Sequence, residues 1–123
     1  MNLIIVGLGG GLGAMLRYLS YQGMIRVFGP GLPWGTAFVN VFGSFLMGLA
    51  AIYFLERAGA PRLGGFIMPG VLGGFTTFSA FSLDAARLME TGRLGAAALY
   101  VGGSVVISIL GLFAGLAIGR TLL

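Results

Sequence analysis

The chain has no cysteine and no histidine, and all seven of its basic residues are arginine. Without cysteine there is neither a disulfide framework nor thiol chemistry. Without histidine the usual proton shuttle and the commonest metal ligand are missing. Acids are scarce: Glu56, Asp84 and Glu90 are the only ones. None of them is paired at catalytic spacing, so no enzyme is expected. The arginines stand singly, with no basic run or patch, which weighs against a nucleic-acid partner despite a net charge of +4.

What remains is apolar. Of 123 residues, 58% are hydrophobic and 8% charged, and the mean hydropathy is +1.03. A soluble domain of this length has too much surface for its volume to hide that many apolar side chains. The 24 glycines suit membrane helices, which use glycine for close packing. A membrane helix needs about 20 apolar residues, and four such segments occur. The expectation is an all-α membrane protein, one four-helix domain over residues 1–123, with spans near 2–26, 34–55, 64–83 and 94–118. The connections RVFGPGLP, ERAGAPRLG and DAARLMETGR are short, and the last two hold all three acids. The first stretch, MNLIIVGLGGGLGAML, lacks a basic leader and reads as a mature span.

Arginines do not set an orientation. Arg57, Arg62 and Arg120 fall on one side, Arg26, Arg87 and Arg93 on the other, and Arg17 inside the first span. A positive-inside bias needs an excess on one side, so the balance points to insertion both ways. Small residues four apart (Gly9 and Gly13, Gly70 and Gly74, then Gly111, Gly115 and Gly119) give packing faces, serving either one subunit or two. Four helices enclose little interior, so a pathway needs a partner copy. Dual insertion makes an antiparallel homodimer the natural assembly.

Polar groups inside hydrocarbon need a partner or a function. Thr36, Asn40 and Ser44 recur every four residues on one face of the second span. Asn40, near its middle, suits either anion donation or an interhelical hydrogen bond, with nothing in the sequence to choose. Tyr100, Ser104 and Ser108 form a second stripe. Ser108 is expected to bond back to its own helix; Tyr100 and Ser104 lie nearer one end and suit a wet pathway. Arg17 either snorkels to an interface or faces an aqueous vestibule that attracts anions; Tyr18, Ser20, Tyr21 and Gln22 after it make that end polar and favour the vestibule.

The segment GGFTTFSAFS, residues 73–82, interrupts otherwise apolar sequence. Gly73 and Gly74 weaken a helix and Thr76 and Thr77 are β-branched, so the third helix is expected to break near its middle. Backbone freed at membrane depth is tolerated only where buried or lining a cavity. Freed carbonyls suit a hard cation, and half-helix N-termini suit an anion. Phe78 and Phe81 share one face, Ser79 and Ser82 another; the positive edges of phenyl rings fit a small dehydrated anion, although lipid-facing packing is the plainer use of phenylalanine.

Three motifs in order, GGGLGAMLRY (Gly9 to Tyr18), GTAFVNVFGSF (Gly35 to Phe45) and GGFTTFSAF (Gly73 to Phe81), resemble the Fluc fluoride channel family, also called CrcB-like proteins. The resemblance covers the first three spans, and Tyr100 and Ser104 extend it into the fourth. It implies a fluoride-selective channel letting the anion leave the cytoplasm, built as an antiparallel dual-topology homodimer with two pores in the plasma membrane, in prokaryotes the inner membrane. By similarity Asn40 is the pore asparagine, and Phe78 and Phe81 are the rings that contact fluoride. Ser79, Tyr100 and Ser104 belong to the polar track, and Arg17 stands at the vestibule. The carbonyls of Gly73 and Thr76 are implied to hold a structural sodium ion at the dimer interface. One departure stands out: the family commonly has Thr between Ser79 and Phe81, where this chain has Ala80, so one hydroxyl of the expected track is absent.

Two rivals remain on sequence. A small dual-topology multidrug or cation transporter would need an intramembrane acid, and the first span carries only Arg17. A non-conducting assembly subunit held by glycine packing would not need the polar stripes to converge.

Overall fold

Four stretches of the chain are helical over lengths that can cross a bilayer: Leu3–Phe28, Trp34–Arg57, Pro61–Glu90 and Leu94–Leu122. They are seen in a computed structural model, which describes residues 2–57 and 59–123. The chain is therefore a multi-pass membrane protein, all-helical among its described residues. The first helix, α1 (Leu3–Phe28), starts where the Asn2 side chain accepts the Ile4 amide at 2.8 Å, an N-cap. It stops at Gly29, whose φ of 78° only glycine adopts freely. The rings of Phe28 and Trp34, 5.3 Å apart, bracket the short turn into α2 (Trp34–Ala51), which runs on through wider π-helical turns at Ile52–Arg57.

The third crossing is composite. Its first half, α3, comprises Pro61–Gly65, π-helical turns at Phe66–Leu72 and a last turn at Gly73–Phe75. The widening surrounds Pro69, which has no N–H to donate and whose ring would clash with the carbonyl four residues back. Thr76 and Thr77 are extended, with φ/ψ of −85°/160° and −155°/126°. The second half, α4 (Phe78–Glu90), then leads through Thr91–Arg93 to α5 (Leu94–Leu122). The third helix breaks within Gly73–Thr77 as expected, on the two threonines, with Gly73 and Gly74 still helical. One expectation needs correction: the stretch around Asp84–Glu90, read as a loop after a span ending near residue 83, is helix. Alanine, leucine and methionine favour it, and Phe81, Ala85 and Leu88 bury one stripe of it. It ends only at Gly92, φ 79°, where Arg93 N–H reaches the Leu88 carbonyl and Gly92 N–H the Met89 carbonyl, a Schellman closure.

The packing resolves into two seams of bare backbone. In one, α1 lies on α3: a methyl on Gly9 or Gly13 would overlap the Phe66 or Val71 carbonyl, and one on Gly74 would overlap Gly10. In the other, α5 lies on α2: Gly115 sits against Gly48 and the Phe45 carbonyl, and Gly119 against the Ile52 side chain. The small-residue faces seen in the sequence are thus consumed inside one chain. Between these seams Val39 and Ile52 are the most deeply buried side chains.

Gly13→Ala should destabilise the folded bundle by about 1–3 kcal/mol, whereas Gly11→Ala, where an added methyl meets nothing within 4 Å, should leave it unchanged. Thermal unfolding in detergent of the two variants side by side measures the difference.

Candidate functional site

Breaking a helix at membrane depth frees backbone groups that hydrocarbon cannot satisfy. Here Asn40 satisfies them. Its Nδ2 donates to the Thr77 carbonyl at 2.8 Å, and its Oδ1 accepts the Thr77 N–H at 2.8 Å. The backbone must donate on one side and accept on the other, so this pairing also fixes which way the amide faces. Of the two roles open to Asn40, the interhelical bond is occupied; its second Nδ2 proton is left over, and Asn40 lines the groove described next. Thr77 then caps α4: its Oγ1 accepts the Ala80 N–H at 3.2 Å and lies 3.3 Å from the Ser79 Oγ.

A groove of about 390 Å³ runs between α2, α4 and α5. Asn40 and Ser44 line it from α2, Thr76 and Thr77 from the break, Phe78 and Phe81 from α4, Ser104 and Ser108 from α5. The two rings stand 5.5 Å apart with a 44° tilt. They differ sharply in environment: Phe81 is 8% exposed, whereas Phe78 is 76% exposed and stands on the outer surface. A third ring, Tyr100, continues the row 5.2 Å beyond Phe81. Its hydroxyl donates to Asp84 at 3.2 Å. Thr36, the outermost polar group of the α2 stripe, is buried and donates to the Tyr21 hydroxyl at 3.4 Å.

The serines correct one expectation. Ser20 and Ser82 bond back to the carbonyls of Leu16 and Phe78, as helical serines in apolar surroundings tend to do. Ser108, expected to do the same, makes no hydrogen bond among the described residues, and neither do Ser44 and Ser104. Three hydroxyls therefore face one groove with donors to spare. No full charge lines that groove.

The groove thus gathers Asn40, Thr76, Phe78, Phe81 and Ser104 from the site residues expected on sequence, together with Ser44 and Ser108 of the two polar stripes and Thr77 of the break. Ser79 reaches its rim only through Thr77. Tyr100 lies in the next groove along and touches this one through Phe81. Arg17 is half-buried on α1 and joins neither groove; it makes no ion pair or hydrogen bond among the described residues. Ser108 was readable as one more step of the stripe through Ser104; the Asp84–Tyr100 bond joins two helices and left no signal in spacing.

The break in the third helix was expected from the sequence; its pairing with Asn40 of the second helix is what the structure adds. A family model for the CrcB-like protein, Camphor Resistance (CrcB), matches residues 4–116. The chain belongs to the CrcB-like family. Among its relatives, the fluoride-specific ion channel FluC of Cereibacter sphaeroides (strain ATCC 17029 / ATH 2.4.9) is 54% identical over 119 residues, covering 97% of this chain and 94% of that one. The FluC of Rhodopseudomonas palustris (strain BisB5) is 54% identical over 125 aligned positions, covering 99% of both. The FluC of Rhizobium meliloti (strain 1021) is 49% identical over 122, covering 98% of both.

In this CrcB-like bundle, Asn40→Ala leaves the Thr77 N–H and carbonyl unpaired, each at a cost of about 1–3 kcal/mol. A lowered unfolding midpoint in detergent is expected. Ser44→Ala, which breaks no bond, should stay within about 0.5 kcal/mol of the parent protein.

Proposed function

We propose that the chain is a fluoride-selective channel, passing the anion passively out of the cytoplasm across the inner membrane to relieve its toxicity. The observation that carries this is the convergence of unsatisfied donors without fixed charge: the second Asn40 N–H and the Ser44, Ser104 and Ser108 hydroxyls share one groove with two phenyl rings. Fluoride is small and holds its water tightly, so a path must replace that water with donors. Hydroxyls, an amide and positive ring edges do so. A fixed cation would hold the ion too firmly, since conduction needs binding weak enough to release. The relatives' names as fluoride-specific channels agree.

The working unit we infer is an antiparallel, dual-topology homodimer with two pores. It is supported by the balanced arginines and by Phe78, whose exposed ring and open groove a second copy would complete. Tyr100 and Ser79 continue the polar track at the groove's ends, and Arg17 belongs to a vestibule that draws anions in.

A central sodium ion fits the donor set at the break. In an unbroken helix the Thr77 N–H would bond the Gly73 carbonyl; here it turns to Asn40, which frees that oxygen for a hard cation. The Gly73 and Thr76 carbonyls would hold the ion, with their counterparts in the partner copy. When bound, sodium would neutralise the carbonyl dipoles meeting at the interface. The residues' own part is to present those oxygens: Thr76 is tied down by its hydroxyl, which donates to the Leu72 carbonyl at 3.0 Å.

Liposomes loaded with fluoride and carrying the purified protein should show passive, electrogenic fluoride efflux with negligible chloride efflux; silence at good reconstitution would end the channel reading. Phe78→Ile and Phe81→Ile should each slow efflux about tenfold, the effect of roughly 1.4 kcal/mol on a barrier, with the dimer intact by size-exclusion. A reporter fused after Leu123 should be found on both sides of the membrane; one fixed side would rule out dual insertion.

A further inference from the structure

A second groove, of about 330 Å³, opens between the start of α2 and the first half of α5. Its wall is mostly apolar, with Ala37 and Val41 facing Leu99 and Gly103; Tyr100 and Ser104 line the side towards the first groove. It is hollow because small residues line it, and a methyl built on Gly103 meets nothing within 4 Å. Its volume lies at the lower end of ligand clefts. From Ala96 to Ile107, both in its wall, a helix rises roughly 16 Å, about the depth of one leaflet of a bilayer whose hydrocarbon core is about 30 Å thick.

One charge sits in this wall, at the mouth. Arg93 immediately precedes α5, and its guanidinium donates one N–H to the Gly31 carbonyl at 2.8 Å, which pins the group while leaving further donors free. No carboxylate pairs with it among the described residues, where the ion pair present is Arg120–Glu56. Trp34, packed at a tilt against Phe28 at the same end, is placed as interfacial aromatics are. An apolar slot one leaflet deep, with a fixed guanidinium at headgroup level, complements the shape and charge of an anionic phospholipid's headgroup and one acyl chain.

We propose that this groove binds one acyl chain of an anionic phospholipid, with Arg93 holding the headgroup phosphate. The inference stands on the membrane-spanning fold and does not depend on what passes the other groove. Ser104 lines both grooves, so the bound chain would pack behind a residue of the ion pathway.

The test uses purified full-length protein in detergent, titrated with phosphatidylglycerol and with phosphatidylcholine of the same acyl chains. Retained lipid is counted by native mass spectrometry. Phosphatidylglycerol should bind about fivefold more tightly, the contribution of one arginine near an anionic headgroup. Arg93→Gln should abolish that preference while leaving phosphatidylcholine binding as it was. Gly103→Leu, which fills the slot, should weaken both lipids with Arg93 intact; Ala37→Leu makes the same test should that variant unfold. Equal binding of the two lipids by the parent protein, or undiminished binding by both filled variants, overturns the proposal. So does efficient disulfide cross-linking of Leu99→Cys between copies of this cysteine-free chain, since a second copy would then cover the groove.

Discussion

One amide side chain carries the architecture. A peptide N–H and carbonyl at the middle of a bilayer must find partners within the protein, and Asn40 supplies both to Thr77. Because it does, the third crossing can abandon its helix for two residues and begin a new one. That restart turns Phe78 outward and Phe81 inward, brings Thr77 into capping position and releases the Gly73 carbonyl from its usual partner. The polar groups suited to an anion and those suited to a cation are thus by-products of one repair. Were Asn40 free for the anion alone, the break would have no partner. The asparagine holds the break in shape with both atoms of its amide and also lines the groove.

The rest of the bundle keeps that repair in register. Glycine seams bring α1 onto α3 and α5 onto α2 at distances no side chain would allow, so the helices on either side of the break have little room to slide. Dispersion at such close contact takes over from the hydrophobic drive that lipid cannot provide. The exposed ion pair between Glu56 and Arg120, at 3.7 Å, adds little by comparison, as surface pairs do.

Four crossings were legible because twenty apolar residues in a row have few other uses, and a break in the third was legible because threonines and glycines interrupt it. Its exact place was not: glycine propensity drew the eye to Gly73 and Gly74, whereas those residues stay helical to let Gly10 approach. The cost of the break is met by a residue 37 positions away, which local propensity cannot register. Periodicity found the stripe through Ser104 and Ser108 but could not tell a hydroxyl turned to its own backbone from one facing a groove. The helix over Asp84 to Glu90 was missed because its charges look like a loop when the buried stripe of Ala85 and Leu88 goes unnoticed. Tyr100 and Asp84 meet only through tertiary packing. Family membership covers residues 4–116; residues of the second and third motifs meet at one groove, while the first packs helix on helix.

The two glycine seams have a mechanical consequence. Contacts made mostly of backbone contain few rotamers to rearrange, so each seam is stiff. A bilayer that thins or thickens by a few ångströms cannot be accommodated by repacking there. The adjustment falls instead on stretches beyond the seams, such as the wide turns over residues 53–57 that end the second crossing.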